Sequence, residues 1–153
     1  MQEAGKMKAI IYYAAQHPAG TSARIADALK AGLPGVVACN IRETPAAPGM
    51  VSGADHLIFI TATYGDQELH DDMEALVLAL KDKVKGKKYF ICEVGNYYGY
   101  DDYTFGAARI IDEILREYGA IAAAGIASVD SLPLLDQQAV GKWVSEVKSY
   151  FTS

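Results

Sequence analysis

Thr61-Ala62-Thr63-Tyr64-Gly65-Asp66-Gln67-Glu68-Leu69-His70-Asp71-Asp72 follows the apolar run His56-Leu57-Ile58-Phe59-Ile60 and precedes a helical pattern from Met73 to Val84. A short apolar run before such a segment reads as a buried strand, here Leu57 to Thr61. Met73, Leu76, Val77, Leu80 and Val84 recur at the spacing of one face of an amphipathic helix. The stretch is therefore a turn off the carboxyl end of a strand, the end at which open α/β sheets hold ligands. It carries hydroxyls at the strand exit, an aromatic followed directly by a glycine, and carboxylates at Asp66, Glu68, Asp71 and Asp72. An aromatic can lie on a flat ring and a glycine peptide can take either orientation, so with negative charge around both the segment suits a bound redox cofactor.

Working outward, Lys8 to Ala15 reads as a first strand covered on both faces. A turn over Gln16 to Ser22 leads into a helix with Ile25, Ala26, Leu29 and Leu33 inward, capped by Thr21 or Ser22 and ended by Gly32 and Pro34. Such a junction aims backbone N–H groups and hydroxyls at one spot, ready for an anion. Val36 to Ile41 reads as the second strand and Pro45 to Gly53 as a crossover too short for a full helix. Beyond the opening stretch, Lys88 to Val94 is the fourth strand and Gly95 to Tyr103 a second unusual loop. A helix follows from Thr104 to Tyr118, with Ala107, Ile110, Ile111, Ile114 and Tyr118 inward. Ala120 to Val129 is the fifth strand, and Gln138 to Phe151 a last helix with Val140, Val144, Val147 and Phe151 inward and Trp143 at the core edge.

Strands alternating with helices require right-handed parallel crossovers. The expected product is a doubly wound, three-layer α/β fold over residues 1–153 as one domain, with a five-stranded parallel sheet of order 2-1-3-4-5. The order reverses between the first and third strands, and that crevice receives the loops after strands 1 and 3, with the loop after strand 4 alongside.

The 153 residues suffice for a proper core, and 51% hydrophobic with 22% charged residues argues against disorder. A net charge of -5 argues against nucleic acid and anionic membrane, which need a basic face, and favours a basic or metal-bearing partner. Cys39 and Cys92 sit inside expected strands and read as core thiols of a reducing, cytoplasmic compartment. His17, His56 and His70 lack metal-ligand spacing, and no apolar run approaches membrane-spanning length.

With these elements in place, the chain resembles a flavodoxin of the short-chain type. The family follows its third strand with hydroxyl-x-Thr-Trp-or-Tyr-Gly-Asp and then Glu-Leu-x-Asp-Asp. Ala62-Thr63-Tyr64-Gly65-Asp66 and Glu68-Leu69-His70-Asp71-Asp72 are similar to both. Gly95-Asn96 through Phe105-Gly106-Ala107 resembles the loop after the fourth strand, with about two more residues than the family pattern. The phosphate loop departs further. Where the family has Thr-or-Ser-x-Thr-Gly-x-Thr, this chain has His17-Pro18-Ala19-Gly20-Thr21-Ser22, so two hydroxyls are replaced.

The resemblance implies flavin mononucleotide (FMN), bound non-covalently and passing single electrons at low potential, with no substrate of the chain's own. In that reading Tyr64 covers one face of the flavin, and Tyr98, Tyr100 or Tyr103, with Tyr100 first, covers the other. Gly65 turns its carbonyl toward the flavin on reduction, Asp66 and Glu68 offer backbone N–H groups to the pyrimidine edge, and Ala62, Thr63, Gly95, Asn96 and Phe105 complete the ring pocket. His17, Gly20, Thr21 and Ser22 would hold the phosphate, more weakly or in a different arrangement for the lost hydroxyls. Implied partners are redox proteins, a reductase as donor and a metalloprotein or flavoprotein as acceptor, docking on the acidic face near the flavin.

Simpler readings stand beside these: Asp71 and Asp72 as helix N-terminal charges, His70 as a solvated residue, and the Tyr97 to Tyr103 cluster as a partner surface. An alternative function is a flavodoxin-like domain with altered or lost FMN binding, acting as an accessory or protein-binding module. A phosphoacceptor receiver needs an acidic pair after its first strand and a lysine after its fifth, which Ala14-Ala15-Gln16 and Ala127-Ser128-Val129 do not supply. A nicotinamide-binding domain needs Gly-x-Gly-x-x-Gly after its first strand, also missing here.

Overall fold

The structure, a computed structural model, describes residues 7–14, 20–43, 47–64, 68–69, 71–95, 106–130 and 135–152. Its central strands are β1 (Met7–Tyr13), β2 (Val36–Asn40), β3 (Ala54–Tyr64) and β5 (Lys88–Gly95), all parallel. A two-residue strand, β4 (Glu68–Leu69), runs back antiparallel along the end of β3. Beyond β5 lie β6 (Ile121–Ala122) and β7 (Ala127–Asp130), both parallel to it. Counting β6 and β7 as the two halves of one position gives the expected order 2-1-3-4-5.

Alternation of side chains across the pleat explains why the strands read as continuous apolar runs. Ile10 and Tyr12, Leu57 and Phe59, and Tyr89 and Ile91 point to one face. There they meet Met73 and Val77 of α2 (Asp71–Leu78) and Ala107, Ile111 and Leu115 of α3 (Gly106–Glu117). The alternate residues Ala9, Ile11, Ile58, Ile60, Phe90 and Cys92 face the other way. They pack on Ile25 and Leu29 of α1 (Thr21–Gly32) and on Val140, Trp143 and Val147 of α4 (Gln137–Thr152). Helices cover both faces, so the central strands β1, β3 and β5 are buried on both sides, whereas the rim keeps Val37 of β2 and Ile121 of β6 exposed. Trp143, expected at the core edge, is only 4% exposed.

Several boundaries differ from the sequence reading, for local physical reasons. The second helix was expected to reach Val84, yet α2 ends at Leu78 and continues as tighter turns, with the N–H of Lys83 bonded to the Leu80 carbonyl at 2.9 Å. Asp82 there has φ 67°, a left-handed conformation that an aspartate tolerates better than most residues. Leu80 and Val84 stay buried, so the apolar face was read correctly although the backbone was not. The crossover before β3 is a 3₁₀ helix over Ala47–Gly53. The fifth strand is interrupted: β5 advances from Tyr89 to Cys92 while its neighbour advances from Ala122 to Ala127, so two extra residues bulge out around Ala123-Ala124-Gly125. The third strand is longer than expected, because pairing with β4 carries it to Tyr64.

Candidate functional site

The carboxyl ends of β1, β3 and β5 lie side by side, because the parallel register aligns Tyr13 with Ile60 and Ala62 with Val94. The first turn of α1 is described at this same edge. Its N-cap is Gly20, in an extended conformation and without a side-chain cap bond, so neither Thr21 nor Ser22 caps the helix as expected; they are its first two residues. The first bond of the ladder runs from the Arg24 N–H to the Gly20 carbonyl at 2.9 Å. The N–H groups of Thr21, Ser22 and Ala23 therefore precede the ladder, where an anion is favoured by both donor groups and helix dipole.

Among the described residues, the buried polar or charged side chains are Ser22, Thr61 and Glu93. All three sit at this one edge: Ser22 in the first turn of α1, Thr61 and Glu93 opposite each other near the ends of β3 and β5. Thr61 Oγ1 is buried with no hydrogen-bond partner among the described residues. Glu93, fully buried, accepts the Ala108 N–H at 2.9 Å in the first turn of α3. Buried polar groups without local structural need gather where a ligand is handled.

Charge surrounds the edge. Burial first, then the carboxylates of Asp27 and Glu43 and the nearby Cys39, push the Tyr13 phenol above its ordinary value. Asp71, Asp72 and Glu74 form the exposed first turn of α2, which bears out Asp71 and Asp72 as helix N-terminal charges. Arg42, just beyond β2, pairs with Asp72 at 2.7 Å, so one of these charges is compensated. Both cysteines are buried thiols outside any disulfide, and burial, then the charge of Glu93, pushes the Cys92 thiol up to about 12. No cluster of His, Cys, Asp and Glu suited to a metal occurs among the described residues, and none of their helices is long and apolar enough to cross a membrane.

Of the residues expected at the site, Gly20, Thr21 and Ser22 open α1, Ala62 lies near the end of β3, and Gly95 closes β5 in register with Asp130. The backbones of Thr63 and Tyr64 pair with Leu69 and Glu68. His17, Gly65, Asp66, Asn96, Tyr98, Tyr100, Tyr103 and Phe105 fall outside the described residues. Glu93 and Arg42 were not singled out from sequence. Glu93 had a legible signal, a lone carboxylate in the run Tyr89 to Val94 at the same strand parity as the inward Tyr89 and Ile91.

The family model for flavodoxin matches residues 11–143. Among curated proteins, none matches the sequence. Oxidised flavodoxin 1 of Bacillus cereus superposes with a TM-score of 0.74 at 23% identity, covering 95% of this chain and 97% of that one. Flavodoxin 2 of the same organism gives 0.73 at 26% identity over 95% and 97%. Fusobacterium nucleatum flavodoxin, solved with flavin mononucleotide bound, gives 0.66 at 20% identity over 94% and 99%. A parallel sheet of order 2-1-3-4-5, polar groups gathered at the carboxyl edge and a family match over most of its length place the chain in the flavodoxin family.

Proposed function

We propose that this chain is a one-electron carrier that binds FMN non-covalently at the carboxyl edge of the sheet, in the loops after β1, β3 and β5. The observation that carries the reading is the gathering of Ser22, Thr61 and Glu93, the buried polar side chains among the described residues, at this one edge. The residues present suit the cofactor. The first turn of α1, whose N-cap Gly20 makes no side-chain cap bond, offers N–H groups to a phosphate dianion; Thr21 and Ser22 lie in that turn and His17 stands just before it in sequence. Tyr64 and one of Tyr98, Tyr100 and Tyr103 would wall the ring, with Ala62, Thr63, Gly65, Asp66, Gly95, Asn96 and Phe105 around it. FMN, when bound, would supply the one-electron chemistry.

In this reading the protein's own contributions would be exclusion of water from the ring, a glycine at Gly65 whose peptide could take either orientation, and fixed negative charge. Negative charge about 10 Å from a reduced, anionic cofactor raises its energy by roughly 0.8 kcal/mol per carboxylate at an effective dielectric near 40. Salt discounts this for exposed groups such as Asp71 and Glu74, and Arg42 offsets Asp72. The remaining charge favours a low potential and a docking face for basic redox partners, a reductase on one side and a metalloprotein or flavoprotein on the other.

The test is spectroscopic. Purified protein, or apoprotein titrated with FMN, is expected to show paired visible flavin bands and to prefer FMN over riboflavin. Reductive titration is expected to proceed in two separated one-electron steps, the second at low potential. Failure to bind or quench added FMN refutes the reading and favours the protein-binding alternative, which the two missing hydroxyls of the phosphate loop support. Gly65→Ala is expected to change the separation of the two steps, and equal shifts in both would refute the peptide's role.

A further inference from the structure

The strand residues facing α2 and α3 are apolar or tyrosine until the last buried register step, where Thr61 on β3 lies opposite Glu93 on β5. A carboxyl group taken wholly out of water is costly unless its oxygens are hydrogen-bonded. Glu93 Oε1 meets that need with the Ala108 N–H, at 2.9 Å. That N–H lies in the first turn of α3, where backbone donors have no partner within the helix. Capping of such donors ordinarily comes from the residue just before the helix. Here it comes from a strand of the central sheet, fifteen positions earlier in the chain.

The difference matters for what lies between. The bond joins the region of Gly95, the last residue of β5, to that of Gly106, the first of α3. Those residues are the two anchors of the segment that carries Tyr98, Tyr100 and Tyr103. A cap from the preceding residue would let the helix start shift together with its loop. A cap from β5 fixes it to the sheet.

We infer that Glu93 is a positioning residue of the cofactor site, which, by holding the start of α3 to the end of β5, sets the spacing of the anchors of the second flavin wall. This rests on the FMN reading above. Glu93 acts here by accepting the Ala108 N–H, so a side chain with an oxygen at the same reach is expected to hold the helix start and a shorter one is not.

The experiment compares wild type with Glu93→Ala, Glu93→Gln and Glu93→Asp, measuring FMN affinity of the apoprotein, visible circular dichroism of the bound flavin, and the melting temperature of apo and loaded protein. Glu93→Ala is expected to bind FMN ten- to a hundredfold more weakly at temperatures where its apoprotein is folded, with an altered flavin dichroism. Glu93→Gln, which keeps an acceptor oxygen, is expected to restore affinity to within threefold of wild type and to restore the dichroism. If Glu93→Ala does not fold, Glu93→Asp takes its place, being one methylene too short to reach Ala108. A folded short variant with wild-type affinity and dichroism overturns the inference, as does a Gln variant no better than Ala. Wild-type protein that binds no FMN overturns the flavin reading and this inference with it. Wild type that binds while the variants are unaffected overturns this inference alone.

Discussion

Replacing Thr61 with valine isolates one buried hydroxyl. Thr61 is 3% exposed, and its Oγ1 has no hydrogen-bond partner among the described residues. A hydroxyl removed from water without compensation costs about 1–3 kcal/mol. Valine has nearly the same shape, keeps the β-branch that suits a central strand, and removes the hydroxyl. The apoprotein of Thr61→Val is therefore expected to be more stable by about 1 kcal/mol, the low end allowing for imperfect packing of the new methyl. For a chain of 153 residues this is a rise in melting temperature of about 2–4 °C. The advantage is expected to shrink when saturating FMN is added, because the hydroxyl lies at the edge where the cofactor is proposed to bind. Paired thermal melts of both proteins, with and without FMN, measure both quantities. A melting temperature unchanged or lowered in the apoprotein would show that the hydroxyl is already satisfied in solution, and would refute the reasoning.

Other expectations concern the scaffold. Phe59→Ala removes a fully buried ring stacked on Tyr12 at 5.6 Å and is expected to cost about 3–5 kcal/mol by urea unfolding, whereas Leu78→Ala, at a side chain 49% exposed, should stay within about 0.5 kcal/mol. Gly119 has φ +88° and a Cβ placed there would lie 3.1 Å from Lys85 Cγ, so Gly119→Ala is expected to destabilise by about 1–2 kcal/mol, while Gly49→Ala, with open space around it, is close to neutral. Stability should fall as pH rises above about 9. The Cys92 thiol titrates from an ordinary value of 9.0 when unfolded but is pushed up to about 12 when folded, so between these limits the unfolded chain binds fewer protons and is favoured by up to about 1.4 kcal/mol per pH unit. Cys92→Ala should flatten the decline between pH 9 and 10; above that Tyr12 and Tyr89, whose phenols burial also raises, contribute, and a wild-type profile level to pH 11 would contradict the assignment.

Strand order and helix faces were legible because burial on two sides writes itself into composition. Ile10 to Tyr12, Leu57 to Ile60 and Tyr89 to Cys92 are apolar at every position, which only a sheet covered on both faces requires. Met73, Leu76, Val77, Leu80 and Val84 were read correctly even though the helix they implied stops at Leu78, since periodicity reports the buried side and not the hydrogen-bond pattern. Two backbone features were not legible. The interruption at Ala123 to Ile126 reads as one apolar run, because alanine and glycine give no sign of register. The return strand at Glu68 and Leu69 depends on pairing with Thr63 and Tyr64, a contact without a composition of its own. At the site, the sequence identified the edge and the N-terminus of α1, but the importance of Glu93 emerges only once Ala108 is brought to it across fifteen positions of chain.

The interrupted fifth strand bears on strand-to-strand association between molecules. An uninterrupted parallel sheet ends in a row of unpaired backbone groups that can template addition of another chain. Here the outer edge beyond β5 is divided into a two-residue and a four-residue strand by the bulge at Ala123-Ala124-Gly125. Neither piece is long enough to align a foreign strand over a useful length, and the bulge bends the rim between them. At the opposite rim β2 is only five residues long. Both rims are thus poor templates for strand addition, which discourages lasting strand-to-strand association.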